Sequence, residues 1–252
     1  MQGETIPDRA VLRITGADRE TFLQGLVTND VRRLKDGPVY AALLNPQGKY
    51  LADFLLVPAA DAILLDVQAD LAEGLLRRLQ MYRLRADVTV ERSDLSVSRG
   101  LGPTPEGAFT DPRHPALGWR AYGPATAETG PTAPWDALRV EHLIPETGIE
   151  LRPDDSYILE AGFERLNGVD FRKGCYVGQE VTARMKHKTE LKKGLVRVRV
   201  TGDAGPGTEI TTEDGKPAGM LFTRAGDQAI AFLRMDRAGG ALTAGSARVE
   251  LQ

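Results

Sequence analysis

Lys173-Gly174-Cys175-Tyr176-Val177-Gly178-Gln179-Glu180, followed by Thr182-Ala183-Arg184, is the most informative stretch of this 252-residue chain. Two glycines flank a Cys-Tyr pair where a loop runs into a segment with helical character, Gln179 to Met185. Glycine lets a backbone approach a neighbour or a ligand closely and adopt dihedrals closed to other residues. A thiol between a lysine and a helix N-terminus sits in positive potential, which favours the thiolate. Cys175 is therefore a candidate nucleophile or soft metal ligand. A free cysteine can equally be a small buried hydrophobe, and the residues alone leave both readings open.

Cys175 is the only cysteine, beside three histidines, His114, His142 and His187. One thiol makes no intrachain disulfide and no zinc site that needs two thiolates from this chain. Iron–sulfur clusters take four ligands, mostly thiolates, so a cluster here would have to be shared with a partner. Charge gathers around the same stretch. From Arg172 to Arg199 there are nine Lys/Arg against Glu180 and Glu190, a net +7 that leaves −10 for the rest of a chain totalling −3. Such a block is either a solvated face or a cationic surface for an anionic ligand or acidic partner.

Hydrophobic residues make up 42% and charged residues 27%, the balance of a globular chain rather than a disordered one. No apolar run approaches the roughly 18–20 residues of a membrane span. The start, MQGETIPDRA, lacks a basic segment followed by an apolar core, so a cytoplasmic protein without membrane attachment is expected. Aromatic residues are 6% of the chain and the pI is acidic, so no direct nucleic-acid surface is expected.

Periodicity predicts strands over Val11–Ile14, Val39–Leu44, Tyr50–Val57, Ile63–Val67, Val88–Glu91 and Leu95–Arg99. Helices are predicted over Arg19–Val27, with Phe22, Leu23 and Leu26 on one face, and over Asp70–Met81, with Leu71, Leu75 and Leu79. Asn45-Pro46-Gln47-Gly48-Lys49 is a hairpin turn. Seven prolines between Gly102 and Pro134 predict loops and a reduced subdomain. Trp135–Ile144 and Ser156–Leu166 read as helical. After a boundary near Leu191, runs at Leu195–Val200, Glu209–Thr212, Met220–Thr223, Ala229–Leu233 and Ala247–Leu251 predict a small antiparallel sheet or barrel.

The Cys175 motif closely resembles that of the YgfZ-type folate-binding proteins, which include mitochondrial iron–sulfur assembly factors and are similar to the glycine-cleavage T-protein, an aminomethyltransferase. Ile14-Thr15-Gly16-Ala17-Asp18, Phe22 through Val31, Asn45 through Phe54, Tyr82-Arg83-Leu84-Arg85 and Arg139-Val140-Glu141 to Ile144-Pro145-Glu146 look like further family blocks. The resemblance implies an α+β fold. An aminomethyltransferase-like folate-binding domain over 1–190, its subdomains arranged as a ring and reduced over about 102–134, would precede a small C-terminal antiparallel β-barrel over 191–252.

It also implies site residues. Cys175 would be the functional thiol, supplying one ligand of a transient [2Fe-2S] or [4Fe-4S] cluster. Lys173 would tune the thiol, Gly174 and Gly178 would meet backbone requirements, Tyr176 would complete the motif, Gln179 and Glu180 would fix the loop or cap the helix, and Arg184 would carry negative charge. Tetrahydrofolate would lie against Glu141, Trp135, Tyr82 and Arg83, with Arg9 standing where YgfZ has a second folate-linked tryptophan. Asp53 lies near the place of the T-protein's catalytic aspartate, but the paired acid found there is absent. The implied function is a folate-binding accessory factor in iron–sulfur cluster assembly or repair. It would act as a monomer with an A-type carrier and with client cluster enzymes such as tRNA-modifying ones. The alternative is a tetrahydrofolate-dependent one-carbon transferase of the aminomethyltransferase type.

Overall fold

The computed structural model describes residues 3–125, 132–187 and 191–252; part of the Pro-rich middle, and Lys188 and Glu190 of the basic block, lie outside them. The described residues form two compact units, 1–133 with 164–181 and 134–163 with 182–252.

The first unit holds β1 (Glu4–Thr5), β2 (Arg9–Thr15), β3 (Val39–Leu44), β4 (Tyr50–Pro58), β5 (Ile63–Gln68), β6 (Thr89–Ser93), β7 (Ser96–Gly100), β8 (Phe109–Thr110) and β9 (Trp119–Gly123), with helices α1 (Arg19–Gln24) and α2 (Ala69–Tyr82). Five strands form an antiparallel sheet in the order β3-β4-β5-β2-β6. Successive side chains in a strand alternate between faces. Ala10, Leu12 and Ile14 of β2, Ala52, Phe54 and Leu56 of β4, and Ile63, Leu65 and Val67 of β5 thus share one core with Leu23, Ala72, Leu75 and Leu79 of the helices. α1 stops at Gln24, short of the predicted Val27, because Gly25 ends it and Val27 bridges to Leu43 instead.

The other face is also buried, which is why β3 to β5 read as apolar runs. The second sheet, β1-β7-β9-β8, lies against it and is joined to it by buried charge. Asp66 of β5 accepts from Arg9 Nε at 2.6 Å, Arg120 Nη1 at 2.8 Å and the Tyr122 hydroxyl at 3.0 Å. Arg120 also reaches Asp111 at 3.0 Å, and Asp111 pairs with Arg113 at 2.7 Å. Burial raises the Asp66 and Asp111 carboxyls, but the arginines outweigh it and hold both below the usual carboxylate range.

The second unit carries α3 (Trp135–His142), then most of α4 (Gln179–His187), which begins in the first unit. Its strands β10 (Lys193–Thr201), β11 (Glu209–Thr212), β12 (Pro217–Ala225), β13 (Gln228–Arg234), β14 (Leu242–Ala244) and β15 (Ala247–Leu251) close into a barrel in the order β10-β13-β12-β11-β14-β15. The interior is filled by Val198, Val200, Ile210, Leu221, Leu233, Leu242, Val249 and six alanines. α3 packs Val140 on Phe222 and Ile230 outside the barrel. Buried Glu150 fixes this join, accepting from Arg139 Nη2 at 2.5 Å and from the Thr223 hydroxyl at 2.6 Å. Residues 156–166 form successive turns rather than the predicted helix. Gly162 has φ +78°, a left-handed dihedral that interrupts any helix through the buried Ile158, Leu159, Ala161, Phe163 and Leu166.

Asp66→Asn leaves two buried guanidiniums short of a full negative charge and is expected to destabilise the first unit by about 3–5 kcal/mol. Because these carboxyls titrate lower folded than unfolded, the stability they give is present above about pH 4 and is lost as pH falls further. Melting temperatures from pH 7 to pH 3 check this, and a wild-type profile flat across that range contradicts it.

Candidate functional site

Polar side chains at the exit of α1 prepare the ground on which the cysteine loop lies. Thr28 Oγ1 donates to the Gly168 carbonyl at 2.7 Å and accepts from the Ala42 amide. Asn29 Nδ2 donates to the Tyr40 carbonyl at 2.8 Å and the Asn167 carbonyl at 2.6 Å, and the Asp170 amide donates to the Thr28 carbonyl. Segment 167–170 is thereby tied to β3. Asp30 caps the short 3-10 helix that follows, Val31–Asp36, bonding the Arg32 amide and guanidinium. The Arg32 bond and partial burial act in opposite directions on Asp30, and its pKa settles at about 2.

Lys173 comes next. Its ammonium donates to the carbonyls of Gln24 (2.8 Å), Val27 and Asn29 (3.0 Å), and lies 5.0 Å from the Tyr176 ring centre. Burial lowers it to about 8, against the pull of Asp30 and Asp170, so it is still largely charged at neutral pH. Cys175 is exposed. The Tyr176 amide donates to Gln179 Oε1 at 3.1 Å while the Gln179 amide donates back to the Tyr176 carbonyl, a reciprocal cap at the start of α4. Glu180 and Arg184 are exposed on that helix.

Gly178 explains itself. At φ +82°, a Cβ there would stand 2.6 Å from the Asn45 carbonyl oxygen and 2.9 Å from Leu44 Cβ. Its counterpart, Gly48 at φ +74°, would meet Val181 Cβ at 2.7 Å. The 45–49 hairpin turn and the cysteine loop thus touch glycine to glycine. Gly174 differs: nothing lies within 4 Å of a Cβ built on it, and its φ is not left-handed.

The residues expected at folate fall in two places. Trp135 and Glu141 share α3, but six residues at 3.6 per turn set them about 120° apart. The tryptophan is buried, 8% exposed, whereas Glu141 faces solvent beside a cleft of about 390 Å³ lined by Val140, Arg197, Ala225 and Gln228. Tyr82 packs against the first unit's core at the end of α2, and Arg83 is exposed, donating to the Val88 carbonyl. Arg9 is held by Asp66. Asp53 is buried, 4% exposed, and accepts from the hydroxyls of Tyr40 (2.9 Å) and Tyr50 (2.8 Å). Sequence reading passed over Asn29, Asn167 and Glu150. Their signal is a polar residue inside an apolar neighbourhood, and it becomes legible only once long-range partners are known.

Among the described residues no three His, Cys, Asp or Glu side chains gather as a metal-binding group, and no helix is long and apolar enough to cross a membrane.

Residues 192–252 match the CAF17 C-terminal beta-barrel domain. The chain is 32% identical to the mouse (Mus musculus) mitochondrial iron–sulfur cluster assembly factor IBA57 and 31% identical to its human (Homo sapiens) counterpart, covering 93% of this chain and 78% of each relative. The structure superposes on the glycine cleavage system aminomethyltransferase T from Bartonella henselae with a TM-score of 0.78, over 98% of this chain and 83% of that one, at 14% identity. That likeness establishes the α+β aminomethyltransferase fold with its terminal barrel. The expectation of a cytoplasmic protein is corrected by the relatives, which are named as mitochondrial; the start of the chain was a poor guide to compartment. With this identity over nearly its whole length, the chain belongs to the family of IBA57-type iron–sulfur cluster assembly factors.

Proposed function

We propose that this protein serves iron–sulfur cluster assembly through Cys175, which supplies one thiolate to a [2Fe-2S] or [4Fe-4S] cluster in transit. The observation that carries this is the sole thiol of the chain standing exposed on a loop fixed on both sides. A single exposed thiolate can take one coordination position, and the remaining ligands then come from outside, as in a cluster shared with an A-type carrier and passed on to client enzymes. The cluster is cargo here. The exposed bases Arg172 and Arg184 flank the loop in sequence and suit an acidic partner surface.

Cys175→Ser is expected to abolish the visible absorption of a cluster complex formed on mixing with a cluster-loaded A-type carrier. Its melting temperature should stay within about 1–2 °C of wild type, since an exposed side chain changes stability by at most about 0.5 kcal/mol. An unchanged complex in the serine variant contradicts the proposal.

The YgfZ-type resemblance adds tetrahydrofolate and tRNA-thiolating clients. The residues fit folate in part. The Glu141 carboxylate is free to accept from a pterin amino group and ring N–H, whereas the buried Trp135 has little ring face to offer. Glu141→Gln is the cleaner probe, because Trp135→Ala would also open a core cavity at about 3–5 kcal/mol. Titration calorimetry with tetrahydrofolate is expected to show Glu141→Gln weaker by roughly ten- to a hundredfold, the loss of a charge-assisted bond pair. Equal affinity removes Glu141 from the site. One-carbon transfer is the less favoured reading, since the Asp53 carboxylate is enclosed by two tyrosines.

A further inference from the structure

Lys173 and Tyr176 stand on either side of Gly174 and Cys175, and they touch each other. The ammonium lies 5.0 Å from the ring centre, so the two ends of a four-residue segment are drawn together. Its three N–H donors are matched by three carbonyls, those of Gln24, Val27 and Asn29, which lie 144 to 149 positions away in the chain. An ammonium with all its donors taken by carbonyls has none left for a thiolate. Beside the tuning expected from its charge, Lys173 thus has a second role that its bonds define.

We infer that Lys173 is a positioning residue, the centre of a clamp in which the α1-exit carbonyls and the Tyr176 ring grip one ammonium and so hold the Cys175 thiol outward at a fixed place. Segment 173–176 is pinned at its start by this grip. It is pinned beyond its end by the Gln179 cap and by Gly178 seated on the Asn45 carbonyl. Between the anchors Gly174 and Cys175 are both exposed, and nothing lies within 4 Å of a Cβ built on Gly174. The charged groups facing the ammonium, Asp30, Asp170 and Arg32, belong to the same ground and not to the thiol. Lysine suits this geometry because an ammonium directs three bonds from one point, whereas a guanidinium is a planar fork. The inference rests on Cys175 being the working group, and it assigns how that group is held.

The single cysteine makes the test direct, because a nitroxide label attaches at Cys175 alone. Electron spin resonance of the labelled full chain is expected to give a slow spectrum for wild type and for Tyr176→Phe, which keeps the ring. Lys173→Met and Tyr176→Leu should shorten the label's correlation time at least threefold while melting temperatures stay within a few degrees. Lys173→Arg should fall between. A Lys173→Met spectrum that superposes on wild type overturns the clamp, and so does a wild-type label already as mobile as in Tyr176→Leu. If Lys173→Met does not fold, Tyr176→Leu decides alone, since its ring is half-exposed and outside the core. Failure of the cluster reading would appear as no carrier complex with wild type and would leave these spectra unchanged.

Discussion

The close approach of Gly48 to Gly178 sets what the rest of the first unit can do. Two chain segments some 130 residues apart come within a distance that no Cβ permits, at left-handed dihedrals that disfavour any other residue. The hairpin tip of β3 and β4 therefore becomes the floor of the cysteine loop. Everything that steadies the five-stranded sheet, including its buried Asp66 cluster, steadies the loop as well. The thiol inherits its fixed position from a sheet edge to which it contributes nothing.

Several blocks that resemble the wider family prove to be the joints of this assembly. Thr28 and Asn29 bind the 167–170 segment, Arg139 and Glu150 bind α3 to the barrel, and Asp53 holds two tyrosines inside the first unit. A position near that of a transferase's acid thus has a structural task here. The exposed positions, Cys175, Glu141, Arg83 and Arg184, are where chemistry with another molecule is available.

Much of the strand layout was legible in the sequence, because β2 to β5 and most of the barrel carry either apolar runs or period-two alternation. Glu209–Thr212 and Ala247–Leu251 match residue for residue. β14 escaped notice because three residues show no period. The helix expected at 156–166 gives way to turns because Gly162 takes a left-handed dihedral, although Leu159, Phe163 and Leu166 are spaced as on a helix face. At the site, the loop-to-helix junction and the capping role of Gln179 could be read locally. The destination of the Lys173 ammonium could not, since its carbonyls are set by long-range docking and leave no trace in neighbouring residues.

The alanines inside the barrel carry a final consequence. Ala218, Ala229, Ala231, Ala244 and Ala247 are shut away from solvent, and with Leu221, Leu233 and Val249 they form the apolar interior of the cylinder. Small inner side chains suit a cylinder of only six strands, whose opposite walls stand close enough to be bridged by a leucine or a valine.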